Sequence, residues 1–181
     1  MTFVLITGPM KSGKSLELIA RVEPFKFAQK KIAYIQPRRN VRESSISSRA
    51  GVDAEALVVD SLGDVSDTFD VLGVDEVHMF EEADVAVIEQ WVRAGKDVFI
   101  SGLDLDYQGH MMPMVKRLFE YRPDTVIMKN SVCEVCHAYD ARFTQILNGE
   151  GPVRVGLPSV VPDDGTYHYE ARCRECFVRG E

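Results

Sequence analysis

At 181 residues the chain holds enough apolar material for one good core with a small appendage. Hydrophobic content of 45% with 27% charged residues reads as soluble and globular, and a formal net charge of −7 argues against broad binding to a nucleic-acid backbone. No run approaches the roughly 18–20 apolar residues of a membrane span, and the N-terminus lacks a basic signal-peptide start. A cytoplasmic protein with no nucleic-acid or membrane partner is expected.

Residues 2–7 are β-rich and run into Gly8-Pro9-Met10-Lys11-Ser12-Gly13-Lys14-Ser15, which fits G-x-x-x-x-G-K-[ST]. That pattern is a phosphate-binding loop. Gly8 and Gly13 permit a tight path, and backbone N–H groups cradle the phosphates. Lys14 would reach the β/γ-phosphates of ATP, and the Ser15 hydroxyl would sit on Mg²⁺. A helix-like run begins at Ser15, so the phosphate would meet a helix N-terminus. Leu16, Leu18, Ile19, Val22 and Phe25 give its apolar stripe, and Pro24 should kink or end it.

A second strand is expected over 32–36, stopped by Pro37. Residues 38–50 are polar, with Arg38, Arg39, Arg42 and Arg49 among serines, and read as loop; beside an ATP site one of these arginines could grip phosphate oxygens bidentately. Short strands follow at 56–59 and 71–74. The second of them ends in Asp75-Glu76, where an acid at a strand tip suits a Mg²⁺-holding aspartate. Glu76 could serve as a general base. Residues 81–95 read as a helix with Val85, Ile88, Trp91 and Val92 toward the core, and Gly95 as its stop. A fifth strand at 97–101 leads into a loop where Leu103 and Tyr107 are candidates for an acceptor pocket, since ligands bind beyond the carboxyl ends of such strands. A helix at 111–121, with Met111, Met112 and Met114 as core filling, and a strand at 125–128 complete the alternation.

Composition then changes. Cys133, Cys136, Cys173 and Cys176 form two C-x-x-C pairs, the pattern of a closed, structural Zn²⁺ site. His137 and His168 lie near in sequence, but four thiolates already fill a tetrahedral site. Cys136 and Cys173 enclose 36 residues, and the surplus is the Gly- and Pro-dense stretch 148–166. A loop of that length without its own structure is a lid, a binding loop or disordered. Recognition of a base by this loop is expected to rest largely on main-chain groups.

The chain resembles the type II thymidine kinase family along nearly its whole length. The resemblance lies in Gly-Pro-Met-x-Ser-Gly-Lys-Ser, Asp75-Glu76, Leu103-Asp104, both C-x-x-C pairs, and Tyr169 four residues before Cys173. It implies an α/β fold: a P-loop RecA-like parallel-sheet domain over residues 1–130, and a zinc-ribbon-like domain over 131–181 whose long lasso loop covers the nucleoside. It implies transfer of the γ-phosphate of ATP to thymidine, with Glu76 as general base and structural Zn²⁺. It places Arg42 toward the phosphates, and Met10, Leu103, Tyr107, Thr144 and Tyr169 around the thymidine. It implies a homotetramer inhibited by dTTP. The chain departs from the family pattern at His78 and Met79, Met79 standing where a pocket aromatic is usual, and at Ile146, where an arginine often stands. Asp163-Asp164-Gly165 replaces the usual Ile-Gly-Gly. A P-loop ATPase and an ATP-switched zinc-ribbon nucleic-acid module are the alternatives.

Overall fold

The computed structural model describes residues 1–40, 45–47, 51–161 and 164–180. Its centre is a six-stranded sheet in the order β5-β2-β6-β7-β1-β8. The strands are β1 (Phe3–Thr7), β2 (Ile32–Pro37), β5 (Leu57–Val59), β6 (Val71–Val74), β7 (Asp97–Gly102) and β8 (Thr125–Met128). Every neighbouring pair is parallel. A parallel sheet is covered on both faces, so its strands are apolar at every position instead of at alternate ones. On β1, Phe3 and Leu5 join one core while Val4 and Ile6 join the other. β6 and β7 divide likewise, with Leu72, Val74, Val98 and Ile100 on the first face and Val71 and Phe99 on the second. Each such side chain, buried fully, contributes about 1.5–3 kcal/mol.

Helix α1 (Lys14–Val22) covers the second face with Leu18, Ile19 and Val22. Leu16 is instead half exposed. At 3.6 residues per turn it points away from Leu18, so it does not belong to the apolar stripe. Pro24 does break the helix: a separate turn, α2 (Pro24–Phe27), starts there. Helices α3 (Val85–Arg93) and α4 (Pro113–Glu120) cover the first face. Val85, Ile88, Trp91 and Val92 are buried as expected, and Gly95 ends that run at φ +82°. The fourth helix starts at Pro113, which sets its first-turn φ, so Met112 and Met114 are buried while Met111 lies outside the helix and is exposed.

Two further expectations are corrected. The stretch read as loop contains β3 (Ser45–Ser47), antiparallel to β4 (Asp53–Glu55). Ile46 and Ala54 are buried in the second-face core that includes Leu18, Ile19 and Val22 of α1, and this tertiary packing stabilises strands too short to show a period. Pro37 does not stop β2 short; it is its last residue and pairs with Val59.

Beyond β8 the chain builds a small antiparallel sheet, β10-β9-β11, from β9 (Phe143–Asn148), β10 (Gly151–Pro152) and β11 (His168–Arg172). Cys133, Ala141, Ala171 and Cys173 form its small core, and Phe143 stacks on Phe177 at 4.4 Å. Among the described residues no helix is long and apolar enough to cross a membrane.

Candidate active site

The carboxyl ends of β1, β6 and β7 lie side by side, and the residues that follow them converge. After β1, the loop Gly8–Gly13 uses positive φ at Gly8 (141°), Lys11 (64°) and Gly13 (79°). Gly8 is required sterically as well. A Cβ there would lie 2.3 Å from the carbonyl oxygen of Lys129, just past β8.

Lys14 opens α1 and is 7% exposed, and its Nζ donates to the carbonyl of Pro9 at 2.8 Å. Burial lowers its pKa, while Glu76, Asp75 and Asp104 pull it back up. The net shift is downward, burial outweighing the three carboxylates. Asp75 is buried and held by donors: the amide of Glu76 at 2.9 Å, the Ser101 hydroxyl, and the Ser15 hydroxyl. Burial and the neighbouring Glu76 still raise its pKa. Asp104, after β7, is also buried; desolvation raises its pKa and Lys14 lowers it.

Glu76 adopts φ +49° and starts a tight turn over Val77–Met79. That turn aims its partly open carboxylate away from the strand, 3.5 Å from His78 Nδ1. Nδ1 of His78 accepts from the Leu103 amide at 3.2 Å, which assigns the imidazole proton to Nε2. Burial, then the charge of Lys14, push its pKa down to about 3, so His78 is neutral and the pair with Glu76 is not ionic.

Next to these groups is a cleft lined by His78, Leu103, Tyr107, Thr144, Val160 and Tyr169, among others. Four of the five expected pocket residues therefore line it. The fifth, Met10, packs on the cluster of Tyr107, Ile146 and Tyr169 beside it. The two tyrosines hold the long loop over the cleft. Tyr107 Oη donates to the Leu157 carbonyl at 3.0 Å and accepts from the Leu157 amide at 3.1 Å, and Tyr169 Oη donates to the Val161 carbonyl at 3.2 Å.

Met79, expected in place of a pocket aromatic, is not among the lining residues; the turn started by Glu76 presents His78 instead. His78 is a lining residue that sequence reasoning missed, and its place two positions after the acidic pair was the available signal. Arg42 lies outside the described residues.

Two observations bear on what the site can hold. The Ser12 hydroxyl in the phosphate loop is buried without a partner among the described residues, as is the Thr7 hydroxyl at the end of β1. Buried hydroxyls in and beside a glycine-rich loop at a helix N-terminus suit an anion with many acceptor oxygens. Farther off, the four cysteine sulfurs lie within 4.8 Å of one another, and Cys136 Sγ is 3.7 Å from Cys173 Sγ. A tetrahedral Zn²⁺ with Zn–S bonds of about 2.3 Å places its sulfurs about 3.8 Å apart, so the quartet fits zinc. Burial opposes the Cys133 thiolate, but amides of Cys136, Cys173 and Val135 outweigh it and bring its pKa to about 6. The hydrogen bond with Cys173 pushes Cys176 to about 12, so only a cation would make all four sulfurs anionic at neutral pH. His137 and His168 are exposed and stand outside the quartet.

A thymidine kinase family model matches residues 1–177. Relatives named thymidine kinase include one from Thermococcus kodakarensis, 34% identical over 94% of this chain and 91% of its own. Another, from Mycoplasma capricolum, is 32% identical over 96% of this chain and 87% of its own. A third, from Roseiflexus sp., is 32% identical over 96% and 93%.

Proposed function

The chain belongs to the thymidine kinase family, and from that premise we propose how its residues transfer the γ-phosphoryl group of ATP to the 5′-hydroxyl of thymidine to give dTMP. The observation that carries the reading is the convergence of Lys14, Asp75 and Glu76 at one sheet edge, beside the cleft that Tyr107 and Tyr169 close.

The loop amides of Gly8–Ser15 and the Lys14 ammonium stabilise charge on the transferred group. In a buried site such charges act strongly, and the carboxylates around Lys14 oppose the loss of its charge that burial favours. Ser15 and Asp75 would hold Mg²⁺, which supplies charge neutralisation at the phosphates when bound. Glu76 accepts the 5′-hydroxyl proton; its open carboxylate is free of the donors that occupy Asp75. Arg42 is assigned toward the phosphates on the family pattern alone. The four cysteines would hold a structural Zn²⁺ that anchors both ends of the 131–181 unit.

Leu103, Tyr107, Thr144 and Tyr169 hold the nucleoside. The main chain of 159–161, tied by Tyr169, offers N–H and C=O groups to the base edge. Thymine presents acceptor, donor, acceptor (O2, N3–H, O4), an order that alternating main-chain groups match. Met10, Leu103 and Thr144 are the wall for the 5-methyl, whose burial contributes about 0.8 kcal/mol, a few-fold preference over deoxyuridine. Cytosine reverses one acceptor and the donor and leaves buried groups unpaired, at about 1–3 kcal/mol each. Competition kinetics with five nucleosides should rank thymidine, deoxyuridine, then deoxycytidine, with both purine deoxynucleosides negligible. A purine phosphorylated as well as thymidine would refute the pocket model. A homotetramer, inhibition by dTTP and a cytoplasmic location are proposed on the family resemblance.

A further inference from the structure

We propose that Glu134, inside the first cysteine pair, is a positioning residue for the phosphate loop, acting through Lys11. The inference rests on the phosphate-loop reading above. Lys11 lies at the tip of that loop with φ +64°, a conformation that side-chain-bearing residues hold only when their surroundings impose it. What imposes it is the cysteine-bearing unit. The Met10 amide donates to Thr144 Oγ1 at 3.0 Å, and Ser131 Oγ donates to the Lys11 carbonyl at 3.1 Å. Lys11 Nζ reaches both carboxylate oxygens of Glu134, at 2.7 and 2.6 Å, and the Tyr169 carbonyl at 3.2 Å.

Glu134 is itself fixed. It lies between Cys133 and Cys136, its carboxylate accepts from the Ala171 amide at 2.8 Å, and its own amide donates to the Ala171 carbonyl at 2.9 Å. Ala171 stands two residues before Cys173. Closing the four cysteines on a metal would therefore fix Glu134 from both knuckles at once. The Lys11 and Glu134 side chains are only 21% and 31% exposed, so solvent screens their pairing incompletely. With its ammonium drawn toward Glu134, Lys11 sets the direction of the peptides on either side, and those peptides carry amides the phosphates use. The x position of the loop motif thus acts as a strut between the cysteine-bearing unit and the ATP site.

The test is a double-mutant cycle on the full-length, zinc-loaded chain: Lys11→Met, Glu134→Gln and both together. Glutamine keeps an acceptor for the Ala171 amide while removing the charge. The readouts are Kd for a non-hydrolysable ATP analogue, kcat at saturating ATP, and hydrogen exchange of the amides of residues 10–13. Each single variant should weaken the analogue about two- to tenfold, with kcat changed less than about twofold and faster exchange in the loop. The double variant should be no worse than the weaker single, and Lys11→Arg should hold affinity close to the parent. Effects that multiply in the double variant overturn the proposal. So does a lower Tm with unchanged affinity and exchange, which marks the pair as structural glue, or tighter binding in Glu134→Gln, which marks Lys11 as a phosphate ligand held back. Lys14→Ala keeps the two readings apart: its loss of analogue binding upholds the phosphate loop however the cycle falls.

Discussion

The two glycines of the phosphate loop should fail differently when substituted. Gly13 lies in the left-handed region (φ 79°, ψ 26°), and an added Cβ would meet nothing within 4 Å. Gly13→Ala therefore carries conformational strain alone, about 1–2 kcal/mol. Gly8 combines φ +141° with a Cβ position 2.3 Å from the Lys129 carbonyl oxygen and 3.1 Å from its carbon. The obstruction is backbone and cannot rotate away, because the Lys129 amide is tied to the Thr7 carbonyl at 2.7 Å. Gly8→Ala thus adds an overpacking cost of about 1–3 kcal/mol to strain of about 1–3 kcal/mol. For a chain of this size each kcal/mol lowers Tm by about 2–4 °C. Thermal unfolding of the ligand-free variants should give a loss of about 2–8 °C for Gly13→Ala and one on the order of 10 °C for Gly8→Ala. The second variant should also lose ATP binding, as relieving the clash moves the start of the loop off β8. Equal losses in the two variants, or a Gly8→Ala protein with parental Tm and ATP affinity, would refute the reasoning.

The remaining predictions concern charge and metal. Glu76→Gln should bind ATP and thymidine nearly as the parent does but lose about 10²–10⁴-fold in kcat; a change confined to KM would leave the base unidentified. Asp75→Asn should abolish turnover yet raise the Tm of the ligand-free protein at neutral pH, because the folded pKa of Asp75 is raised and its ionised form is therefore a burden on the fold. That burden is absent below the unfolded value of about 3.9 and grows as pH rises through the folded value, so the gain should shrink on acidification. A Tm that falls, or a gain independent of pH, would contradict this sign. Elemental analysis should find one Zn²⁺ per chain, and Cys173→Ser should increase hydrogen exchange in β9–β11 more than in the parallel sheet; zinc absent from the intact protein would count against the site.

Features encoded within a few consecutive residues were legible in the sequence. The phosphate loop, the acid at the tip of β6 and the paired cysteines each carry their chemistry in local spacing, and the cysteines converge as zinc ligands must. Legibility ended where tertiary contact decided. β3 and β4 are three residues each and exist because Ile46 and Ala54 join the second-face core. His78 enters the cleft because a left-handed Glu76 turns the chain, a conformation that local composition does not announce. Lys11 and Glu134 are 123 residues apart, and only the folded chain brings them together.

The same distinction separates the reaction from its substrate. Phosphoryl chemistry needs particular side chains at the carboxyl edge of the sheet, and in the proposed mechanism these are Lys14, Asp75 and Glu76. Recognition of a pyrimidine by main-chain groups requires no particular side chain in the loop; it requires the loop to be held still. That holding falls to Tyr107 and Tyr169, whose hydroxyls bind the backbone of Leu157 and Val161 while they line the cleft beneath it. In the proposed pocket the constraint on the base lies in where the loop is tied, and the tying residues belong to β11 and to the segment after β7.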